Sequence, residues 1–306
     1  MIEYLFYTLF FILPLIFYPK TSEVFEFNKI VVVYVFTVLI VAHWTIKMIQ
    51  KKRIIFNRTP LDLPLLLFLG SQALSTIISI DARTSTFGYY SRFNGGLLST
   101  LCFALLYWSF TSNFSKKNSL KLIKITLISA IIVAIYGIFE HFGHSFSCVI
   151  VRSTFNDDCW VQDVKTRVFA TLGQPNWLAA MLTSLVPLTW YYALKTKKEK
   201  TKWIWIGVSI LFFACILFTK SRSGLLGLAA CYVIFWIFNS RKYLKTFVII
   251  NVSFLIILAI FGSPFTPSIN DLMQSKIVQK TTTVDTSEGG TESGAIRAIV
   301  WKVIGS

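Results

Sequence analysis

The sequence predicts an all-α polytopic membrane protein, and composition and patterning both support this fold class. Hydrophobic residues make up 55% of the 306 positions and charged residues only 14%, with a mean hydropathy of +0.64. A soluble domain of this size could not bury so much apolar surface. The apolar residues also fall into long runs that alternate with short polar loops, as expected for helices that cross a bilayer.

Nine apolar runs predict about nine transmembrane helices. The runs cover residues 4–18, 30–49, 61–80, 95–112, 120–142, 176–194, 203–218, 224–238 and 244–261. Several are shorter than the ~20 residues that usually span a bilayer, so we expect their ends to extend into interfacial tryptophans. We therefore divide the chain into a transmembrane bundle, residues 1–262, and the start of a large extracytoplasmic loop, residues 263–306.

Basic residues predict the orientation of this bundle. Lysine and arginine clusters follow every second run, at residues 47–58, 116–124, 195–202 and 241–245, and Glu199 is the only acid among them. The positive-inside rule places these loops and the N-terminus in the cytoplasm. The remaining loops are then expected on the outer side of the membrane. The net charge of +16 is explained by topology and contact with anionic membrane lipids, not by nucleic-acid binding.

The outer loop at residues 143–175 is long for a connection, so we expect it to have structure of its own. It contains Cys148 and Cys159, the one cysteine pair placed to form a disulfide in an oxidising compartment. No Cys/His spacing typical of a metal site occurs, and none is predicted. Residues 296–304 have helical periodicity and end the chain without a cap, so we expect the chain to continue beyond them.

Three predicted helix starts on the outer side each carry an arginine beside small or amide side chains. These are Arg92 with Asn94, Arg167 with Gln174 and Asn176, and Arg222 with Lys220 and Ser221. Helix N-termini favour anions, and the arginine fork binds phosphate oxygens in pairs. We predict a pyrophosphate site, with Asn94, Ser221 and Ser223 capping helix starts. Arg297 would join it if the last outer helix folds back.

Other interpretations of these charges stay open. An arginine at the outer end of a span can be a snorkelling anchor to lipid phosphate. Lys20, Lys29 and Arg83 are interpreted as anchors or loop charges. Glu140 and His141, at the outer end of the fifth run, are either functional or simply interfacial.

Four stretches resemble the O-antigen ligase and polymerase superfamily. The family's arginine- and proline-containing stretch is similar to residues 167–188, RVFATLGQPNWLAAMLTSLVPL. Its T-x-S-R turn is similar to residues 218–228, FTKSRSGLLGL. YYSRFNGGLL, at 89–98, and IRAIVWKVI, at 296–304, resemble outer-loop segments. The similarity extends over roughly residues 60–306.

The resemblance implies an inner-membrane glycosyltransferase. Such enzymes transfer a glycan from undecaprenyl pyrophosphate, on the outer face, to a hydroxyl of a lipid, polysaccharide or protein, without metal, nucleotide sugar or other cofactor. It assigns Arg167 and Arg222 to the pyrophosphate as catalytic residues and adds Arg297. The family's later histidine, a candidate general base, has no counterpart here, because no histidine follows His144.

Two other functions remain possible from the sequence. A non-enzymatic transporter or flippase of polyprenyl-linked glycans would use the same arginines, but it needs polar residues within the spans, which are nearly uniformly apolar. A structural scaffold would explain the topology but not three arginine-bearing helix starts on one side.

Overall fold

The computed structural model describes residues 1–21, 23–160 and 162–266, which form an α-helical membrane bundle and confirm the predicted fold class. Residues 267–306, which hold the predicted outer-loop segment and Arg297, lie outside the described residues. The helices are α1 Ile2–Ile12, α2 Glu26–Gln50, α3 Asp62–Ile77, α4 Ala82–Phe87, α5 Leu97–Asn113, α6 Lys116–His141, α7 Phe146–Arg152, α8 Pro175–Lys195, α9 Glu199–Phe218, α10 Arg222–Asn239 and α11 Leu244–Phe261.

The prediction of nine spans is wrong. Every predicted run contains a helix, but within the described residues only α2, α6, α8, α9, α10 and α11 are long and apolar enough to cross a membrane. Helices α1, α3 and α5 have 11, 16 and 17 residues. They measure about 17, 24 and 26 Å at the α-helical rise, shorter than α10 and α11, which with 18 residues and about 27 Å are the shortest of the six. The count failed because an apolar run does not show where its helix ends.

Basic clusters meet at one end of the bundle. The Lys47 ammonium, near the end of α2, donates a hydrogen bond of 2.7 Å to Asn113 Oδ1, at the end of α5. The Tyr192 hydroxyl, near the end of α8, donates to the Leu120 carbonyl in the first turns of α6. The clusters at 47–58, 116–124 and 195–202 therefore share one end, which we call the basic end. Which side of the membrane it faces stays a prediction.

The core of the bundle lies where α8 packs between α9 and α10. Trp190 of α8 is fully buried, and its indole N–H donates to Ser209 Oγ of α9 at 2.7 Å. The same ring packs on Trp236 of α10, with 5.7 Å between centroids. Toward the other end of α8, the Thr183 hydroxyl donates to the Gly224 carbonyl of α10. Helices α8 and α10 therefore run parallel and in contact, with both N-termini at the end opposite the basic one.

This close approach of α8 and α10 depends on Gly224. A Cβ added at Gly224 would lie 2.5 Å from the Cβ of Ala179, whereas one at Gly227 would meet Thr183 Cγ2 at an ordinary 3.6 Å. We expect Gly224→Ala to destabilise the bundle, because overpacking costs ~1–3 kcal/mol. The higher helix propensity of alanine offsets at most about 1 kcal/mol of this cost.

Thermal unfolding in detergent measures this difference, with Gly227→Ala as the matched control. The control gains the same helix propensity without the clash, so its melting temperature should be unchanged or higher. Equal melting temperatures for the two variants would contradict the packing described.

Candidate functional site

The connection from α6 to α8 is a folded, disulfide-closed loop. Cys148 and Cys159, the pair predicted from the sequence, form a disulfide with Cα atoms 5.4 Å apart. The following residue, Trp160, packs on Phe25 and Phe169, with 5.4 Å between ring centroids in each case. The loop is thereby fixed to the start of α2, and it delivers residues 162–174 to the end of the bundle opposite the basic end.

The backbone after Arg167 is anchored by a buried carboxylate. Glu140, near the end of α6, is fully buried, and its Oε2 accepts a 2.7 Å hydrogen bond from the Ala170 N–H. Ala170 has a φ of +49°, a conformation that is costly for a residue with a Cβ. The Val168 N–H donates to the Phe218 carbonyl at the end of α9. The backbone that follows Arg167 is therefore held in place by α6 and α9.

Lys29 is a structural cation, not the anchor or loop charge predicted from the sequence. Its ammonium donates hydrogen bonds of 2.6 Å to the Ile16 and Thr171 carbonyls. The Thr171 hydroxyl also donates to the Pro14 carbonyl, at 2.6 Å. Lys29 and Thr171 thus tie the turn after Ala170 to the segment that follows α1. Sequence reasoning missed this role because both acceptors are backbone carbonyls distant along the chain.

Helix α8 begins at Pro175, one residue before the predicted run 176–194. Gly173 has a φ of +77°, and a Cβ there would lie 2.4 Å from the Phe25 ring, so glycine is required on two grounds. Pro175 occupies the first helical turn, where its missing N–H costs nothing. The N-cap residue Gln174 makes no side-chain capping bond within the described chain. The positive end of the α8 dipole is therefore left open to a ligand.

An open cavity of about 420 Å³ lies in front of this helix start. Three predicted site residues line it, Arg167, Gln174 and Asn176. The cavity also contains Asp163, which the sequence reasoning did not single out. The Asp163 carboxylate accepts hydrogen bonds from the Lys165 and Thr166 N–H groups, and the Thr166 bond is the largest cause that holds its pKa below the usual value.

The start of α10 is joined to this cavity through Ser221. Its hydroxyl donates to Asn176 Oδ1 at 2.8 Å and accepts from the Gly224 N–H, which confirms the predicted cap. Lys220, with a φ of +49°, and Arg222 flank this buried serine, and both side chains are exposed. The Ser221–Asn176 bond thus brings the two predicted arginine motifs to one place.

Arg92 reaches the start of α8 from the loop before α5, but it already has an acidic partner. Its guanidinium lies 5.8 Å from the centroid of the Trp177 ring, in the first turn of α8, and forms an ion pair of 3.1 Å with Glu26. The predicted cap at Asn94 is wrong. The Asn94 side chain accepts a hydrogen bond from the adjacent Gly95 N–H. The N-cap of α5 is Gly96, two residues further along the chain.

His141 lies close to this region without lining the cavity. Its ring stacks on Phe218, with centroids 3.8 Å apart, and its Nδ1 is 2.8 Å from the Lys165 carbonyl oxygen. Over the described ranges, no group of three or more His, Cys, Asp or Glu side chains could hold a metal ion. The arrangement offers cations, a helix dipole and amide groups, which together can bind an anion.

Comparison with known protein families, with characterised proteins and with solved structures finds no match. Any function must therefore be argued from the geometry of this chain.

We expect Glu140→Ala to loosen the backbone after Arg167. The substitution leaves the buried Ala170 N–H without its acceptor, a loss of ~1–3 kcal/mol, whereas Glu140→Gln keeps a side-chain carbonyl oxygen and should lose less. Amide hydrogen exchange of residues 168–172 and the melting temperature measure the effect.

Glu199→Ala is the control, since Glu199 is an exposed acid in the first turn of α9. It should change neither quantity beyond about 0.5 kcal/mol. Wild-type exchange in Glu140→Ala would show that the carboxylate does not hold the turn.

Proposed function

We propose that the protein is a membrane glycosyltransferase of the O-antigen ligase or polymerase kind. It would transfer a glycan from undecaprenyl pyrophosphate to an acceptor hydroxyl at the outer face of the cytoplasmic membrane. One observation carries the proposal: Arg167 lines a cavity at the uncapped start of α8, and the Asn176–Ser221 hydrogen bond joins that cavity to the start of α10, where Arg222 lies.

In the reaction we propose, the acceptor oxygen attacks the anomeric carbon and the bond from that carbon to the diphosphate breaks. The diphosphate leaves with the bonding electrons and gains negative charge as it does so. Arg167, Arg222 and the α8 dipole would stabilise this growing charge, which makes them catalytic groups and not only binding groups. The hydroxyl proton goes to a base that the described residues do not identify.

The balance of charge around the cavity supports an anionic ligand. Arg167, Lys220 and Arg222 contribute three positive charges on exposed side chains. Among the described residues, Glu26 is paired with Arg92, and Asp163, which accepts its own backbone N–H groups, contributes one negative charge to the cavity, so positive charge is in excess. Arg92 is therefore better suited to placing Trp177 and the start of α8 than to binding phosphate itself.

The position of the cavity supports a ligand with a lipid tail. It lies at the end of α8 opposite the basic end, where a helix of membrane-spanning length begins. The positive-inside rule places the basic end in the cytoplasm, so this cavity would face outward. A polyprenyl chain could remain in the bilayer while its pyrophosphate entered the cavity.

Arginine substitutions test the proposal. We expect Arg167→Ala and Arg222→Ala each to lower glycan transfer by at least ~100-fold, the usual effect of removing a group that stabilises transition-state charge. Transfer is measured in proteoliposomes that contain a polyprenyl-pyrophosphate-linked glycan and its acceptor. Arg58→Ala, an exposed arginine of the basic end, is the matched control and should retain wild-type activity.

Membrane insertion of each variant is checked alongside transfer. Full activity in Arg167→Ala and Arg222→Ala would overturn the assignment. Movement of the lipid-linked glycan across the bilayer by the wild-type protein, without transfer to any acceptor, would favour a flippase instead.

A further inference from the structure

The first turns of α6 carry an unusual concentration of positive charge. Lys116, Lys117, Lys121 and Lys124 line an open cavity of about 620 Å³ together with Leu120. The helix N-terminus itself carries a partial positive charge, and no acidic residue lies in the first turn of α6. Lys117 and Lys121, four residues apart on one face, also repel each other. The helix would gain stability from an anion at this position.

Lys117, Lys121 and Lys124 belong to one continuous exposed stripe along α6. Beyond the lysines, the exposed side chains of this helix are Ile128, Ile132, Ile135 and Phe139. From Lys117 onward the steps are four, three, four, four, three and four residues, the spacing of a single helix face. The stripe is therefore basic over its first turns and apolar over the rest.

The opposite face of α6 is the packed one. Leu127, Ala130, Val133 and Ala134 are fully buried in the core of the bundle. The exposed stripe thus faces away from the protein interior, and in a membrane it faces lipid. Within the described residues no ion pair involves its lysines, since the ion pairs there are Arg92–Glu26 and Lys165–Asp157.

Tyrosine rings flank the lysines on both sides. Lys121 Nζ lies 4.8 Å from the centroid of the Tyr7 ring and 5.8 Å from that of Tyr4, both from α1. Lys124 Nζ lies 5.6 Å from the Tyr192 ring of α8. Tyrosine is enriched at the headgroup level of membrane proteins, so these rings mark the depth at which lipid phosphates lie.

We propose that this face of α6 is a binding site for an anionic phospholipid. Its phosphate would lie against Lys117, Lys121 and Lys124, and its acyl chains along the apolar part of the stripe. From Ile128 to Phe139 the helix rises about 17 Å, close to the ~15 Å depth of one leaflet. Charge and length therefore both match a lipid, whereas a soluble anion would use only the basic part. This inference does not depend on the proposed glycosyltransferase function.

The test is native mass spectrometry of the protein released from nanodiscs that contain phosphatidylglycerol and phosphatidylethanolamine. We expect the wild-type protein to retain phosphatidylglycerol selectively. The triple variant Lys117→Gln, Lys121→Gln and Lys124→Gln should lose that selectivity, by about five-fold per lysine and on the order of 100-fold together. Glutamine keeps the length and helix propensity of the site, and circular dichroism checks folding.

A charge-matched control separates a site from general attraction to an anionic membrane. Lys51→Gln, Lys52→Gln and Arg53→Gln remove three exposed charges from the loop after α2, none of which lines the cavity. Retention in this control should equal that of the wild type. An equal loss in both triple variants, or no loss in the α6 variant, would overturn the proposal. Displacement of the lipid by millimolar inorganic phosphate would also overturn it, because the site would then recognise a free anion.

Discussion

The arrangement of the candidate site depends on the buried carboxylate of Glu140. This side chain accepts the Ala170 N–H and thereby holds a residue in the left-handed region, where its Cβ is unfavourable. A hydrogen bond buried in the bundle is not weakened by competing water, so it can offset that cost. Without it, the segment between the disulfide loop and α8 would be held by the Val168, Lys29 and Thr171 hydrogen bonds without the Ala170 anchor between them, so Arg167 would be less firmly placed beside the start of α8.

The two ends of the bundle carry different clusters of positive charge. At the basic end, lysines of α6 and of the loops after α2 and α8 lie near helix ends and tyrosine rings, together with Arg53 and Arg58. At the other end, Arg167, Lys220 and Arg222 lie beside the starts of α8 and α10. An ammonium is a point charge suited to a lipid headgroup region, whereas the guanidinium fork suits paired phosphate oxygens. The cavity at α6 is lined by lysines, whereas the cation that lines the cavity before α8 is an arginine.

Features that depend on local chemistry could be predicted from the sequence. The helical runs, the break at Gly173 followed by Pro175, the Ser221 cap and the Cys148–Cys159 pair follow from residue types and their near neighbours. The number of spans could not be counted in this way, since it depends on helix ends that apolar runs conceal. The roles of Lys29 and Asp163 depend on backbone groups that residue types do not reveal. Lys29 donates to carbonyls of two distant segments, and Asp163 accepts from an N–H group of its own turn.

The measurement that tests the central claim most directly is a cryo-EM structure of the protein with undecaprenyl pyrophosphate bound in a nanodisc. The account predicts diphosphate density in the cavity before α8, in contact with Arg167 and on the side that faces Ser221 and Arg222. Diphosphate density at the basic end, or a lipid bound with its phosphates away from Arg167, would contradict it.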